Sequence, residues 1–220
     1  ERVGAFDSFD EVASGNAQIY HAADYYWKGK HPGWAYFTSV PFGLTYVEFN
    51  AWIRFGGGQA LWDELAGEYG LQNFVCGNTG VQMGGWFNKE INSANDLKGL
   101  KMRMPGIGGE VMRRVGATVV NLPGSEVAAA LASGTIDWVE WNNPYGEASM
   151  GFYRHAKYYY APGRHEVGTA IELFVNGKAW DSLEDDLKAL VIQCANSTNM
   201  IMLSEFQGRS GPVLQSFVKD

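Results

Sequence analysis

The chain has 220 residues, of which 46% are hydrophobic and 19% charged, so it holds enough apolar area to fold compactly and is not disordered. Its formal net charge is -7, and no run of basic residues occurs, which argues against nucleic acid or an anionic membrane surface as a partner. No apolar stretch approaches the roughly 20 residues that a membrane-spanning helix needs.

The cysteines and the first residue bear on the compartment. Cys76 and Cys194 are too far apart for a CxxC metal site and too few for a disulfide framework. One bridge between them stays open as an alternative, and two buried free thiols are favoured. The chain starts at Glu1 without a leader, so we expect any targeting segment to have been removed or to lie outside this sequence.

Two similar segments, 12–21 and 131–140, predict a helix followed directly by a strand. Both carry Ala-Ser-Gly where the helical part ends. Glycine there adopts the left-handed conformation that terminates a helix, and β-branched or aromatic residues follow. Two such units favour two lobes of related architecture, although chance similarity explains a match this short equally well.

The rest of the chain alternates between predicted strands and helices. The predicted strands are 34–40, 74–77, 86–88, 100–104, 117–121 and 168–176. The predicted helices are 46–68, 109–115, 125–132 and 183–203. Ser125 is the expected N-cap of the third of these helices, with Glu126 in its first turn. This alternation predicts an α/β protein with mainly parallel sheets.

The sequence lacks three motifs that are typical of enzymes. The segment 105–111 begins like a dinucleotide fingerprint, but Val111 stands where the third glycine belongs. The four histidines never show the spacing of a zinc site, and no GxSxG nucleophile elbow occurs. The sequence therefore gives no support for nucleotide-dependent, zinc-dependent or serine-hydrolase activity.

Arg103 lies in a mostly apolar segment, KMRMP at 101–105, that is predicted as a strand ending at proline. A guanidinium there is costly unless it meets a fixed anion, and its planar fork matches a carboxylate with two hydrogen bonds. Arg103 is therefore a candidate clamp for a ligand carboxylate. A structural ion pair with an internal Asp or Glu explains the residue equally well at this stage.

Glu140 is predicted at the carboxyl end of a strand, where open α/β sheets bind their ligands. Its carboxylate could bind a cation or accept from a substrate hydroxyl, and pairing with a Lys or Arg is the structural alternative. The glycine-rich segment 77–86 is either a chain crossover or a site wall, and its Gln82 could add a hard oxygen ligand. Tyr25 offers a stacking wall, with simple aromatic packing as the commoner alternative.

Several segments in combination resemble one family along essentially the whole chain. They are TGVQMGGWF at 79–87, LKGLKMRMPG at 97–106, LASGTID at 131–137, the pair Glu140-Trp141, YYWKGK at 25–30 and HEVGTA at 165–170. The combination resembles the extracytoplasmic solute-binding proteins of tripartite ATP-independent periplasmic (TRAP) transporters. More narrowly, it resembles the branch that binds 2-oxo acids such as pyruvate, or lactate, together with a metal cation.

The resemblance implies a two-lobed α/β fold of the Venus-flytrap type, with mainly parallel sheets and a long helix that spans the hinge. Lobe I is expected to comprise residues 1–80 and 169–208, and lobe II residues 81–168 and 209–220. Members of the family carry a further strand and helix at the N-terminal side and further helical residues at the C-terminal side. We therefore expect these residues to be part of a longer chain, with lobe I incomplete.

The functional implications of the resemblance are those of a transport protein in the periplasm, not an enzyme. Such a protein captures a small monocarboxylate with a cation by closing its cleft and delivers it to the membrane subunits of a TRAP transporter. No organic cofactor and no nucleic acid are expected, and a homodimer stays open.

Carried over by position, Arg103 takes the substrate carboxylate in a salt bridge. The side-chain oxygens of Gln82 and Glu140 and the backbone carbonyl of Trp141 are expected to hold Na⁺ or Ca²⁺, which also contacts the substrate. Tyr25 and Asn78 are lesser candidates for the cleft wall.

Asn143 sits where other branches of the family carry a substrate-binding Asn, whereas the 2-oxo acid branch generally has Gly. This departure leaves the exact ligand open. His165 and Glu166 match the branch pattern without an assigned role.

Two alternatives remain at this stage. One is a binding protein of the same fold that takes another organic acid or an amino acid without a metal. The other, from a different class, is an α/β enzyme acting on 2-oxo acids, which the failed nucleotide motif and the lack of a base paired with a nucleophile disfavour.

Overall fold

The computed structural model describes residues 3–219 and contains two β-sheets. A three-stranded sheet has the order β1-β8-β2, and a five-stranded sheet has the order β5-β4-β6-β3-β7. The strands are β1 Ile19–Ala22, β2 Leu71–Asn78, β3 Gly85–Phe87, β4 Lys101–Arg103, β5 Thr118–Val120, β6 Trp138–Val139, β7 Tyr158–Tyr160 and β8 Ala170–Asn176. We call the three-stranded sheet with the elements packed on it the first half, and the five-stranded sheet with its elements the second half.

Eight α-helices accompany these sheets in the part of the chain that the structure describes. They are α1 Ser8–Ala13, α2 Tyr46–Phe55, α3 Gly58–Gly67, α4 Gly106–Val115, α5 Gly124–Ala132, α6 Pro144–Met150, α7 Gly177–Asp181 and α8 Asp185–Lys219. Within residues 3–219, none of them combines the length and hydropathy needed to cross a membrane.

The three-stranded sheet is antiparallel and the five-stranded sheet is mixed, which corrects the expectation of mainly parallel pairing. Strand β8 runs antiparallel to both β1 and β2, and β3 runs antiparallel to β6 and β7. Parallel pairing joins β4 to β5 and to β6. The reason is topological: β8 returns from the second half and enters the first sheet between two strands that both run the other way.

The segment 34–40 is not a strand, contrary to the sequence prediction. Residues Pro32–Phe37 form a 3-10 helix, with proline at its first turn and the ring Nδ1 of His31 accepting from the backbone N–H of Gly33 at 3.1 Å. Trp34 and Phe37 are both buried, at the three-residue spacing of this helix type. The aromatic content suggested a strand, but the proline at the start of the segment favours a helical turn.

Two predicted helix boundaries also differ. The segment 46–68 is two helices rather than one, because the chain turns at Gly57, whose φ of +84° is unfavourable for other residues. Helix α5 begins at Gly124, with Pro123 preceding it, so Ser125 lies inside the helix and is not its N-cap. Glu126 does lie in the first turn, as predicted.

Each half has its own hydrophobic core. In the first half, Phe174 of β8 is fully buried and stacks on Tyr20 of β1 with ring centroids 4.5 Å apart. In the second half, Trp86 and the buried face of α5 form the core. Phe217, near the end of α8, packs edge-on against Trp86 with ring centroids 5.3 Å apart. Helix α8 therefore packs on β2 of the first half and reaches the core of the second.

The two halves are joined where the chain crosses between the sheets, at residues 79–84 and 161–169. The backbone N–H of Thr79 donates to the carbonyl of Thr169 at 3.0 Å, so the two crossings are paired. Cys76, close to the first crossing, is buried, but Cys194 on α8 is exposed, which corrects the expectation that both thiols are buried. Both cysteines are free.

Replacing Phe174 by Ala should lower the free energy of unfolding by about 3–5 kcal/mol, because it leaves a cavity against Tyr20 that the surrounding rings cannot fill. Urea unfolding followed by circular dichroism measures this. Phe55 is 90% exposed, so Phe55→Ala is the matched control and should cost about 0.5 kcal/mol or less. Equal losses in the two variants would contradict this description of the core.

Candidate functional site

Arg103 and Glu140 meet at one edge of the five-stranded sheet. Arg103 is the last residue of β4, and Glu140 directly follows β6, the parallel neighbour of β4. The backbone N–H of Glu140 donates to the carbonyl of Arg103 at 3.3 Å. Because the carboxyl ends of adjacent parallel strands share an edge, two residues that are 37 positions apart are neighbours in space.

The guanidinium of Arg103 is 1% exposed and is held on several sides. One terminal nitrogen donates to the backbone carbonyl of Glu140 at 2.9 Å, and the other donates to the hydroxyl of Tyr26 at 2.9 Å. Its central carbon lies 4.6 Å from the centre of the Trp141 ring, a cation–π contact. Burial opposes the charge, but Tyr26 and the Glu140 carboxylate more than offset it, so the pKa of Arg103 is raised above its ordinary value.

Glu140 is fully buried, and its two carboxylate oxygens face a guanidinium and an imidazole. Oε2 lies 3.5 Å from a terminal nitrogen of Arg103, and Oε1 lies 3.3 Å from Nε2 of His165. Neither oxygen accepts a well-formed hydrogen bond from a donor in residues 3–219. The internal ion pair considered from the sequence thus exists, and it leaves the acceptor capacity of this carboxylate largely unused.

Gln82 is buried next to the paired chain crossings. Its side-chain nitrogen donates to the hydroxyls of Thr79 at 3.0 Å and Thr169 at 2.9 Å. Its side-chain oxygen is buried without a donor among the described residues. The amide is therefore fixed in orientation by its nitrogen, and its oxygen is an acceptor available to a ligand.

His165 and Glu166 complete the cluster around Glu140. Each of the three residues offers one ligand atom, and these atoms all lie within 4.8 Å of one another. The hydroxyl of Thr169 donates to Glu166 at 2.5 Å, which links this cluster to the Gln82 amide. Sequence reasoning gave neither His165 nor Glu166 a role, because the only signal was their match to the branch pattern.

Two groups in this cluster have shifted pKa values. Burial, and next the charge of Glu140, raises the pKa of Glu166 to about 8. Burial opposes protonation of His165, but the adjacent Glu140 carboxylate outweighs burial and raises the pKa of the imidazole. Both shifts have one physical origin, because several acidic groups share a region from which water is excluded.

Tyr25 and Asn78, the two candidates for the wall of the site, are both buried. The ring of Tyr25 packs against Gly106 at the start of α4, so closely that a Cβ on that glycine would lie 2.5 Å from the ring. Burial, and then the charge of Glu166, raises the pKa of Tyr25. Asn78 accepts from the backbone N–H of Gly80 at 2.8 Å, and its side-chain nitrogen is a buried donor without a partner in residues 3–219.

Asn143 is used by the fold itself. Its side-chain oxygen accepts from Gly146 at 3.2 Å and so caps α6, and its nitrogen donates to the carbonyl of Thr79 at 2.9 Å. Both functional atoms of this amide are therefore engaged in positioning the chain crossing. The structure shows no free polar atom on Asn143 for a ligand, and its substrate-binding role stays a prediction.

Several contacts join the halves across the cleft. The bond from Arg103 to Tyr26 is one of them, and the ion pair of Lys28 with Glu110 on α4 is another. Sequence reasoning missed Tyr26 as a partner of Arg103, because a tyrosine next to another tyrosine gives no indication of which hydroxyl points inward.

The family profile of bacterial extracellular solute-binding proteins, family 7, matches residues 2–219. The chain is similar to the monocarboxylate 2-oxoacid-binding periplasmic protein of Nostoc sp. strain PCC 7120, with 41% identity over 214 residues. That match covers 97% of this chain and 59% of the relative, so the chain spans about three fifths of that protein's length.

Solved structures show the same relationship. A TRAP periplasmic solute-binding protein from Pseudoalteromonas atlantica T6c, with bound sodium and pyruvate, is 45% identical with a TM-score of 0.94, over 98% of this chain and 65% of that one. A TRAP transporter solute-binding protein from Bordetella bronchiseptica RB50 is 38% identical with a TM-score of 0.98, over 100% and 65%. The latter is a mixed-occupancy dimer in which a site with copurified calcium and picolinate contrasts with an apo site.

The shifted pKa of Glu166 predicts how stability depends on pH. An ordinary Glu titrates near pH 4.3, and a folded-state pKa of about 8 means that the folded state holds a proton that the unfolded state has lost. The contribution of Glu166 to the free energy of unfolding is therefore complete below pH 4 and lost as the pH rises to about 8, by up to about 1.4 kcal/mol per pH unit.

Glu166→Gln should flatten this dependence in the ligand-free protein, because glutamine does not titrate. Chemical unfolding between pH 5 and about 9 measures the slope. Glu64, which is exposed, provides the control Glu64→Gln, and this variant should keep the slope of the original protein. A Glu166→Gln slope identical to that of the original protein would contradict the buried, protonated state of Glu166.

Proposed function

Because the chain belongs to the bacterial extracellular solute-binding proteins, family 7, we propose that it captures a small 2-oxo or 2-hydroxy monocarboxylate together with a cation. It has the two-lobed α/β fold of TRAP solute-binding proteins. The single observation that carries the proposal is the set of buried, unused acceptor oxygens on Gln82 and Glu140, in a cluster that also contains the buried cation Arg103.

The residues present fit a hard cation. Gln82 and Glu140 contribute three buried side-chain oxygens without well-formed hydrogen bonds from residues 3–219, and burying such oxygens unpaired is costly. Carboxylate and amide oxygens are the ligands that Ca²⁺ prefers, and Na⁺ is likewise an oxygen-binding cation. We assign Gln82, Glu140 and the backbone carbonyl of Trp141 as its ligands, and a bound cation would neutralise part of the local negative charge.

Arg103 is assigned to the carboxylate of the ligand. Its hydrogen bond to the Glu140 carbonyl and its contact with the Trp141 ring, both within the second half, orient the guanidinium plane before a ligand arrives. Its Nε is a buried donor without a partner among the described residues. A planar donor that is already oriented binds a carboxylate with less loss of entropy, so this arrangement supports recognition of a carboxylate.

The preference for a 2-oxo or 2-hydroxy acid follows from combining the two assignments. A second oxygen next to the carboxylate lets one ligand reach the cation with two atoms while its carboxylate faces Arg103. The named ligands of the similar structures, pyruvate and picolinate, are both monocarboxylates with a second donor atom beside the carboxylate. We assign Tyr25 and Asn78 to the wall around this ligand, since Asn78 has a buried nitrogen to donate.

Capture is proposed to proceed by closure of the two halves. Contacts such as Arg103 to Tyr26 and Lys28 to Glu110 form only when the halves come together. A ligand that strengthens this state shifts the equilibrium towards it by its difference in affinity. We propose residues 1–80 with 169–208, and 81–168 with 209–220, as the two moving lobes.

The remaining parts of the proposal rest on the family. We place the protein in the periplasm, with the membrane subunits of a TRAP transporter as its partners and no organic cofactor. The Bordetella bronchiseptica structure is a dimer, and self-association of this chain stays a prediction.

The substrate class is tested by thermal unfolding with added ligands. Pyruvate, 2-oxobutyrate and lactate, each with Na⁺ or Ca²⁺, should raise the melting temperature, since a ligand at 100 times its Kd adds about 2.7 kcal/mol to stability. Propionate is the matched control, because it keeps the carboxylate and lacks the second oxygen, and it should stabilise less.

The cation is tested in the same assay by replacing Na⁺ with choline and adding a chelator, which should abolish the effect of pyruvate. Stabilisation that survives this treatment would favour the alternative of a metal-free site for another acid. If a dicarboxylate or a sugar acid raises the melting temperature while the three monocarboxylates do not, the substrate assignment is wrong.

Arg103→Lys should weaken pyruvate binding by at least about tenfold, because a point charge cannot replace two or more directed hydrogen bonds. Isothermal titration calorimetry measures the affinity. Arg154 is exposed, and Arg154→Lys is the control that should bind as the original protein does. Circular dichroism of both variants confirms folding, and unchanged affinity in folded Arg103→Lys would refute the clamp.

A further inference from the structure

A second group of buried acids lies outside the site described above. Asp24 begins the 3-10 turn Asp24–Trp27, and Glu172 lies on β8, and both side chains are fully buried. No Lys or Arg forms an ion pair with either residue in the described part of the chain. Two carboxyl groups therefore share an interior region without a compensating cation.

The carboxyl pair is surrounded by directed hydrogen bonds. The indole N–H of Trp62 donates to Oδ2 of Asp24 at 2.8 Å, and the backbone N–H of Asp24 donates to Oε2 of Glu172 at 2.9 Å. The hydroxyl of Thr38 lies 3.3 Å from Oε1 of Glu172. With every other oxygen engaged, Oδ1 of Asp24 is buried without a partner among the described residues.

Oδ1 of Asp24 is buried without a partner in residues 3–219 and lies next to the carboxyl group of Glu172. A proton shared between the two carboxyl groups would give this oxygen a hydrogen bond. Two adjacent like charges in a medium of low polarity cannot both persist, so one proton is retained. Burial, with the neighbouring carboxyl group, raises the pKa of Glu172 well above its ordinary value, and burial raises that of Asp24 in the same direction.

The pair is also hydrogen-bonded to the turn Asp24–Trp27, which carries Tyr25 and Tyr26. The backbone N–H of Tyr25 donates to the hydroxyl of Thr38 at 3.1 Å, and that hydroxyl is the one beside Glu172. Asp24 directly precedes Tyr25, and Tyr26 is the partner of Arg103. The carboxyl pair is thus linked to the backbone of Tyr25 by two hydrogen bonds through Thr38, and Asp24 is two residues from Tyr26, which makes the contact between the halves.

We propose that Asp24 and Glu172 share a single proton in a carboxyl–carboxylate hydrogen bond, and that this bond positions the Asp24–Trp27 turn so that Tyr25 and Tyr26 face the cleft. The two acids are positioning residues, since they act through the turn and lie outside the ligand cluster. The consequence for ligand binding rests on the proposed function, but the shared proton does not.

Other titratable groups face this region, and they determine how the proposal is tested. Tyr20 on β1 faces the pair, and its pKa is raised by burial and then by the charges of Asp24 and Glu172, with Asp10 of α1 contributing further. Glu166 faces Tyr25 from the cleft side and titrates separately. The reporter is therefore Trp62, whose indole N–H touches Asp24 directly.

The sign of the pH effect follows from the raised pKa values. The folded state holds a proton that the unfolded chain releases near pH 4, so the stability that the bond contributes is complete below that pH and is lost as the pH rises through the raised folded-state pKa. Loss of the proton leaves two charges facing each other, which separates Asp24 from Glu172.

The experiment follows the full chain without ligand by infrared and NMR spectroscopy. Isotope-edited infrared spectra should contain, besides the band of Glu166, a second protonated carboxyl band at neutral pH that disappears on alkaline titration, and this second band should be missing in Glu172→Gln. The indole N–H resonance of Trp62 should shift at the same pH in the original protein. It should not shift there in Glu172→Gln, because a glutamine donates to Asp24 at every pH.

Affinity for pyruvate with Na⁺ at neutral pH tests the positioning role. Glu172→Gln should bind within about twofold of the original protein, and Glu172→Leu, which cannot donate to Asp24, should bind about tenfold more weakly. Glu68→Gln removes an exposed charge and should change neither the spectra nor the affinity.

Each outcome decides the proposal. A neutral-pH infrared spectrum that does not change in Glu172→Gln, or a Trp62 shift that persists in that variant, would overturn the shared proton. Equal pyruvate affinities in folded Glu172→Gln and Glu172→Leu would overturn the positioning role. If the original protein does not bind pyruvate at all, the proposed function fails, and the infrared and NMR results still decide whether the proton is shared.

Discussion

The guanidinium of Arg103 is withdrawn from water between two strand ends, and the arrangement of the site follows from the need to compensate it. Glu140 supplies the opposite charge, Tyr26 supplies a hydroxyl and Trp141 supplies a ring face. These partners satisfy the arginine more completely than they satisfy the glutamate, whose oxygens keep unused acceptor capacity. The resulting local excess of acceptors makes the cluster suited to a cation and a small acid bound together.

Much of this arrangement could be predicted from the sequence, because strand ends are local features. Arg103 lies in a mostly apolar segment that was expected to be a strand ending at Pro105, and Glu140 was expected at the carboxyl end of another strand. Arg103 and Glu140 are then adjacent if β4 and β6 are parallel neighbours, and the structure shows that pairing. Gln82 was found through its glycine-rich segment, where an amide side chain is conspicuous.

The parts that could not be predicted depend on contacts between distant segments. Nothing near Asp24 in the sequence indicates Glu172, which is 148 positions away. The antiparallel insertion of β8 between β1 and β2 is likewise a property of the path of the chain and not of local pattern. For Asn143 the position in the sequence predicted a ligand contact, but the structure uses its amide to cap α6 and to bind the carbonyl of Thr79.

The pairing of Thr79 with Thr169 has a mechanical consequence. Two chain crossings hydrogen-bonded side by side define an axis, and α8 packs on both halves, so the proposed closure would be mainly a rotation about that axis. Gln82 is bound to both threonines and therefore lies close to that axis, where the lever arm is short. Under that rotation its oxygen would keep nearly the same place, whereas the contact between Tyr26 and Arg103 would be made or broken.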